Sequence, residues 1–139
     1  MKQINVVGAA IIDEAGHVLI SKRKAERVLG SLWEFPGGKI ESGETPQMAL
    51  KREMQEEFQD QIIVGPQVAP TAVHQYDFGE IHLTVYFAKL LTHHFDLLEH
   101  SKVEWVDQSE LLDRDWPAAD GEIVEKLAQI DLSEVRFDA

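Results

Sequence analysis

The sequence predicts an α/β fold in which helices pack on a mixed β-sheet, and three observations carry that expectation. The first is a strand signal near the start. The run INVVGAAII (Ile4–Ile12) is rich in β-branched residues and ends at the turn signal DEAG. The second is a helix signal in the middle. Thr45 can act as an N-cap, Pro46 suits the first helical position, and Leu50, Met54 and Phe58 recur every four residues. The third is a return to strand patterns, TAVHQYDF and IHLTVYFAKLL, followed by a second helical pattern. Strands and helices interleaved in this way argue for one layered domain over residues 1–139.

The elements follow in order. HVLISKR (His17–Arg23) pairs with the first strand as a hairpin, which places Arg23 near a strand end. KAERVLGS is polar and reads as a loop, and LWEFPGGKI carries aromatics into a Pro-Gly-Gly turn. The helix opened by Thr45-Pro46 runs to about Phe58, with a weakly marked end because the next glycine is Gly65. The two later strands are separated by Gly79-Glu80, a plausible hairpin turn. KVEWVD is a short strand, QSELL a helical turn, and DGEIVEKLAQI a helix capped by Asp120 with Ile123, Leu127 and Ile130 on one side.

Composition narrows the function classes. A formal net charge of −12 is wrong for a protein that tracks a nucleic-acid backbone, which needs clustered Lys and Arg. It does not oppose small phosphorylated ligands, since a bound cation inverts the local charge. With no cysteine, thiolate nucleophiles, disulfides and cysteine-based zinc sites are excluded. No apolar run reaches the roughly 18 residues of a membrane span. The apolar start stops at Asp13 without a small-residue cleavage site, so it reads as a strand and not as a signal peptide. The expectation is a cytoplasmic enzyme or binding protein.

The stretch FPGGKIESGETPQMALKREMQEEFQDQ holds the chemistry. Residues three and four apart share a helical face, so Glu53, Glu56 and Glu57 project together and repel one another. A solvated surface is one reading. The other is a hard cation, because carboxylate oxygens are the ligands that Mg²⁺ and Mn²⁺ prefer. Such ions bridge and neutralise phosphate oxygens. Gly37-Gly38 would let backbone approach a ligand closely. Arg52 can fork to a carboxylate, with Glu44 a reasonable partner.

From Gly38 the chain reads G-x5-E-x7-R-E-M-x-E-E, fixing Gly38, Glu44, Arg52, Glu53, Glu56 and Glu57. At residue frequencies of several per cent, a chance match to six fixed positions is on the order of one in 10⁵. This run resembles the Nudix box of MutT-like nucleoside triphosphate pyrophosphohydrolases. The likeness extends to LWEFPGGKIE, the later EW strand and WPAAD before the last helix. It implies the Nudix fold, an α/β/α sandwich around a mixed sheet. The family box continues with a glycine and an apolar residue where this chain has Gln59 and Asp60. Those places shape the helix exit and do not touch the metal ligands, and Ile62 could take the apolar role.

The resemblance also implies roles. Metal would be held by Glu53, Glu56, Glu57 and the Gly37 carbonyl, with Mg²⁺ as the ion and Mn²⁺ as its substitute. Arg52 would orient the base-like glutamate and pair with Glu44. Glu99, six residues before Trp105, fits the place of a further metal-site glutamate, and either Glu53 or Glu99 could take the proton of water. Arg23 and Lys39 are candidates for the phosphates, although Lys39 equally suits an exposed surface. Trp116 could stack on a base or pack in the core. Asp120 could read a base edge, cap a helix, or both. The implied activity is hydrolysis of nucleoside triphosphates to monophosphate and pyrophosphate, with sanitising of modified nucleotides such as 8-oxo-dGTP. The alternatives are a CTP or 5-methyl-dCTP pyrophosphohydrolase, a Nudix hydrolase of another nucleoside diphosphate derivative, and a catalytically silent nucleotide-binding module. Neither nucleic acid nor membrane is expected as a partner, and the protein would be a monomer or homodimer.

Overall fold

The computed structural model describes residues 2–23, 32–91 and 100–137. Strands β1 (Gln3–Ile12), β2 (His17–Arg23), β3 (Trp33–Glu34) and β4 (Gly37–Lys39) precede helix α1 (Pro46–Phe58). Then come β5 (Ile62–Gln67), β6 (Ala72–Tyr76), β7 (Gly79–Leu90) and β8 (His100–Asp107). A 3₁₀ turn (Gln108–Asp113), helix α2 (Ala118–Leu127) and a last 3₁₀ turn (Leu132–Glu134) complete the described elements. The strands form one mixed sheet in the order β3-β2-β1-β7-β5, with β4 on β1, β6 on β7 and β8 on β2. β1 runs parallel to β7 and antiparallel to β2 and β4.

β1 explains the layering. Side chains alternate across a strand, and here both sets are apolar. Val7, Ala9 and Ile11 meet Leu50, Met54 and Phe58 of α1 in one buried cluster. Ala10 and Ile12 face the other way, into a cluster with Ile123, Val124 and Leu127 of α2. The result is the expected α/β/α sandwich, one helix on each face of a mixed sheet. Among the described residues no helix is long and apolar enough to cross a membrane.

α1 starts as its sequence dictates. Thr45 Oγ1 accepts the Met48 N–H at 3.1 Å, and Pro46 occupies the first turn, where its missing N–H costs nothing. Gln59 ends the helix in the left-handed region, with φ 55° and ψ 37°. It is the one non-glycine residue with positive φ among the described residues. That is the conformation a C-terminal glycine supplies without strain, so the glycine's geometry is kept although the residue is not.

Four details differ from the sequence expectations. The Pro-Gly-Gly segment is more than a turn, because Gly37, Gly38 and Lys39 pair with Gly8, Val7 and Val6 as β4. β5, to which the sequence reading gives no element, holds Gly65 and Pro66 at an irregularity between Val64 and Gln67, on the edge of the sheet where proline is tolerated. The hairpin turn falls at Asp77-Phe78, and Gly79 already pairs with Tyr76. Gly79 is needed for another reason: a Cβ there would stand 3.0 Å from the Lys2 carbonyl. Finally, Asp120 does not cap its helix. Pro117 takes the N-cap position, α2 begins at Ala118, and Asp120 lies within the first turn.

Candidate active site

β4 and α1 build the acidic side of the site. The Gly37 φ is 154°, and a Cβ there would fall 2.0 Å from the Val7 carbonyl oxygen. A Cβ on Gly38 would stand 2.4 Å from the Glu53 carboxyl carbon. The glycine pair therefore lies flat between β1 and the α1 glutamates, in a gap that no side chain could share.

Arg52 organises the carboxylates. Its Nε and Nη2 donate to the two oxygens of Glu44, at 2.7 and 2.9 Å, in a bidentate fork. Nη2 also donates to the Lys39 carbonyl at 3.0 Å, which ties the helix to the end of β4. Nη1 donates to Glu53 at 2.9 Å and to Glu56 at 3.2 Å. The Arg52 hydrogen bonds hold the Glu44 carboxyl below the usual carboxylate range, assisted by the Glu41 N–H. Glu53 moves the other way. Burial pushes its pKa up, Arg52 opposes that, and the charges of Glu56 and Glu41 add to it. The guanidinium is itself held more firmly protonated, chiefly by Glu44.

The glutamate face is graded and not uniform. Glu56 is 60% exposed at its side chain, whereas Glu57 is only 7% exposed and faces inward with Leu50, Met54 and Phe58. Three carboxylates, Glu44, Glu53 and Glu56, thus hydrogen-bond to the guanidinium of Arg52, and Glu57 lies on the buried side of the same helix. Among the described residues no three metal-ligating side chains converge on one point, since Glu53 and Glu56 both turn to the same Arg52 nitrogen. The donor set nevertheless fits the divalent ion that the box implies. It is all oxygen, it carries excess negative charge, and it includes a half-buried carboxylate, Glu53, beside a glycine turn whose backbone has no side chain to shield it.

Across the Gly37-Gly38 turn lies a cavity of about 670 Å³. Phe35, Lys39, Tyr76, Phe78, Pro117 and Asp120 are among its lining residues. Lys39 and Asp120 are thereby brought to one space, with the glycine turn joining it to the acidic face. Asp120 is buried, at 7% exposure. Trp116 stands behind this wall: its indole N–H donates to the Leu111 carbonyl at 2.8 Å, and its ring stacks on Phe35 at 5.2 Å. Of the two roles open to it, the structure shows packing. Arg23 ends β2, and its side chain lies outside the described residues, as does Glu99 entirely.

Two cavity residues have no counterpart in the sequence reading. Tyr76 ends β6 and Phe78 lies in the β6–β7 turn, with their rings stacked at 5.2 Å and 6°. Phe78 is 43% exposed. An aromatic left exposed at a hairpin tip is a signal for a ligand platform, but alternation alone places both residues simply in a strand.

The NUDIX domain family model matches residues 7–126. The chain is 36% identical over 125 residues to a CTP pyrophosphohydrolase of Escherichia coli K12, covering 88% of each protein. It is 31% identical over 135 residues to an 8-oxo-dGTP diphosphatase of the same organism, covering 94% of this chain and 100% of the relative. Its fold resembles the solution structure of the DNA mismatch repair protein MutT, a Nudix hydrolase, from methicillin-resistant Staphylococcus aureus 252. There the TM-score is 0.75 at 42% identity, over 91% of this chain and 96% of that one. With the acidic helix, the glycine turn and the cavity in these positions, the chain belongs to the NUDIX domain family and is a MutT-like Nudix hydrolase.

Proposed function

We propose that this single-domain protein hydrolyses nucleoside triphosphates to monophosphate and pyrophosphate with Mg²⁺, for which Mn²⁺ can substitute, and that modified nucleotides such as 8-oxo-dGTP are among its substrates. The observation that carries the reading is the junction at Gly37-Gly38, where a crowded carboxylate face meets a cavity of nucleoside size. The named relatives, which act on 8-oxo-dGTP and CTP, support it.

In this reading Glu53, Glu56, Glu57 and the Gly37 carbonyl hold the metal, joined by Glu99. A divalent ion held there would offset the triphosphate charge and make the attacking water more acidic. Glu53 or Glu99 accepts the water's proton. Glu53 suits that task because burial raises its affinity for a proton while Arg52 keeps the carboxylate oriented. Glu44 fixes Arg52 in turn, so it acts through the arginine and not on substrate. Lys39 and Arg23 meet the phosphates, and Phe35 and Phe78 offer the base apolar surfaces.

A second specificity reading, for cytosine nucleotides, is favoured by Asp120. An ionised carboxylate accepts hydrogen bonds and does not donate, so it matches an exocyclic amino group better than an edge that mixes donors and acceptors. Trp116, half-exposed and stacked on Phe35, is the further candidate for stacking on the base.

The deciding experiment is a screen of CTP, dCTP, 5-methyl-dCTP, dGTP and 8-oxo-dGTP against the wild type and Asp120→Asn, with pyrophosphate measured separately from phosphate. Asp120→Asn should shift kcat/KM toward 8-oxo-dGTP by about 1–3 kcal/mol, the cost of a mismatched buried polar group. An unchanged ranking of the five would remove Asp120 as a base reader. No pyrophosphate from any of them would remove the triphosphate reading.

A further inference from the structure

The cavity carries a second polar group beside Asp120. Tyr76 ends β6 and lines the same space. Its phenol oxygen accepts the Ala119 N–H at 3.0 Å. This amide belongs to the first turn of α2, where helical N–H groups need outside acceptors. A phenol has two lone pairs and one proton. With a backbone donor on one lone pair, the O–H remains available to donate. The ring is held as well as the oxygen: Phe78 stacks on it at 5.2 Å, and His74 meets it edge-on at 4.6 Å. Burial, with the nearby Asp120 charge, raises the Tyr76 pKa against the pull of the Ala119 amide, so the proton stays on at neutral pH.

We propose that Tyr76 is a specificity-determining residue, which presents its O–H donor beside the Asp120 acceptor so that the pair selects a pyrimidine edge where an acceptor ring nitrogen adjoins an exocyclic amino group. Cytosine N3 and N4 have that order, and uracil has the reverse, with a ring N–H beside a carbonyl. Turning uracil about its glycosidic bond does not recover the match, because its N3–H lies between two carbonyls. This inference rests on the triphosphate reading above and deepens it, since it assigns half of the recognition to a residue outside the Nudix box.

The test uses CTP, UTP and 3-deaza-CTP, which lacks the N3 acceptor, with the wild type and Tyr76→Phe. The phenylalanine keeps the ring and its stack and loses the hydroxyl. The wild type should prefer CTP to 3-deaza-CTP by about tenfold or more, mostly through KM, as expected when a buried donor loses its acceptor. In Tyr76→Phe that preference should shrink to about twofold or less, with kcat on CTP little changed. A purely structural tyrosine would instead lower all three substrates by a common factor, and that result overturns the proposal. So does a wild type that treats 3-deaza-CTP like CTP, an outcome that needs no variant to fold. An active wild type with either result sinks this inference alone, whereas a folded wild type that hydrolyses no triphosphate sinks the functional reading along with it.

Discussion

Arg52 meets Glu44, Glu53, Glu56 and the Lys39 carbonyl through three nitrogens, a pattern that only a planar fork with fixed donors can satisfy. Arg52→Lys keeps the charge and loses the fork. Thermal unfolding should show a loss of about 1 kcal/mol, modest because the network is partly solvated, and kcat should fall much further because Glu53 is no longer oriented. Equal retention of kcat and stability would show that the fork is incidental. The Arg52–Glu44 pair also sets a pH dependence. Glu44 is held below its ordinary pKa by Arg52, so its contribution is present above the unfolded carboxylate value. It is lost as pH falls through the depressed folded value. Glu44→Gln should therefore be less stable than the wild type at neutral pH and should lose less on acidification. Parallel acid-unfolding profiles would contradict this. Gln59 gives a test of the opposite sign. It holds a left-handed conformation that costs an L-residue roughly 1 kcal/mol. Gln59→Gly should raise the urea midpoint by an amount of up to about that size, less the glycine's extra unfolded-state freedom, with activity within a few-fold.

At the scale of elements, α1 was legible because three independent signals agree on it. The Thr45 cap, Pro46 at the start and the buried Leu50, Met54 and Phe58 all stand where their spacing puts them. Thr45→Ala removes the bond to Met48 and should cost about 1 kcal/mol of stability. Because the cap lies one residue from Glu44, a larger loss in kcat than in stability would show that the first turn also positions the ion pair. Other elements were hidden for physical reasons. Gly65-Pro66 breaks the strand pattern of β5, which exists because β7 supplies a paired edge. β4 is two glycines and a lysine, with no strand propensity of its own, and it forms because β1 fits against it without a Cβ to spare. α2 begins before Asp120, with Pro117 at the N-cap position that the sequence reading gives to Asp120. The acidic half of the site was thus readable from one contiguous helix. The base-side half was not, because Tyr76, Phe78 and Asp120 come from separate elements that meet only in the folded chain.

At the scale of the molecule, the sheet holds two helices on opposite faces, and the glycine turn on β1 brings the acidic side of α1 to the edge of the cavity beside α2. The chain carries a net charge of −12, and Glu44, Glu53 and Glu56 concentrate part of it around Arg52, with Glu57 on the same helix. A divalent cation bound there relieves repulsion in the native state and has no such site in the unfolded chain. Millimolar Mg²⁺ should therefore raise Tm by mass action, and Glu57→Gln should blunt that rise. The central claim is that this face, loaded with metal, cleaves triphosphates to release pyrophosphate. Its most direct test is the rate of pyrophosphate release against Mg²⁺ concentration for the wild type and Glu57→Gln, at saturating nucleotide and with both proteins shown to be folded. The account predicts saturable dependence on Mg²⁺ in the wild type, pyrophosphate and not phosphate as the product, and a loss of several orders of magnitude in the variant. Near-native turnover by Glu57→Gln, or wild-type turnover that persists after chelation, would contradict it.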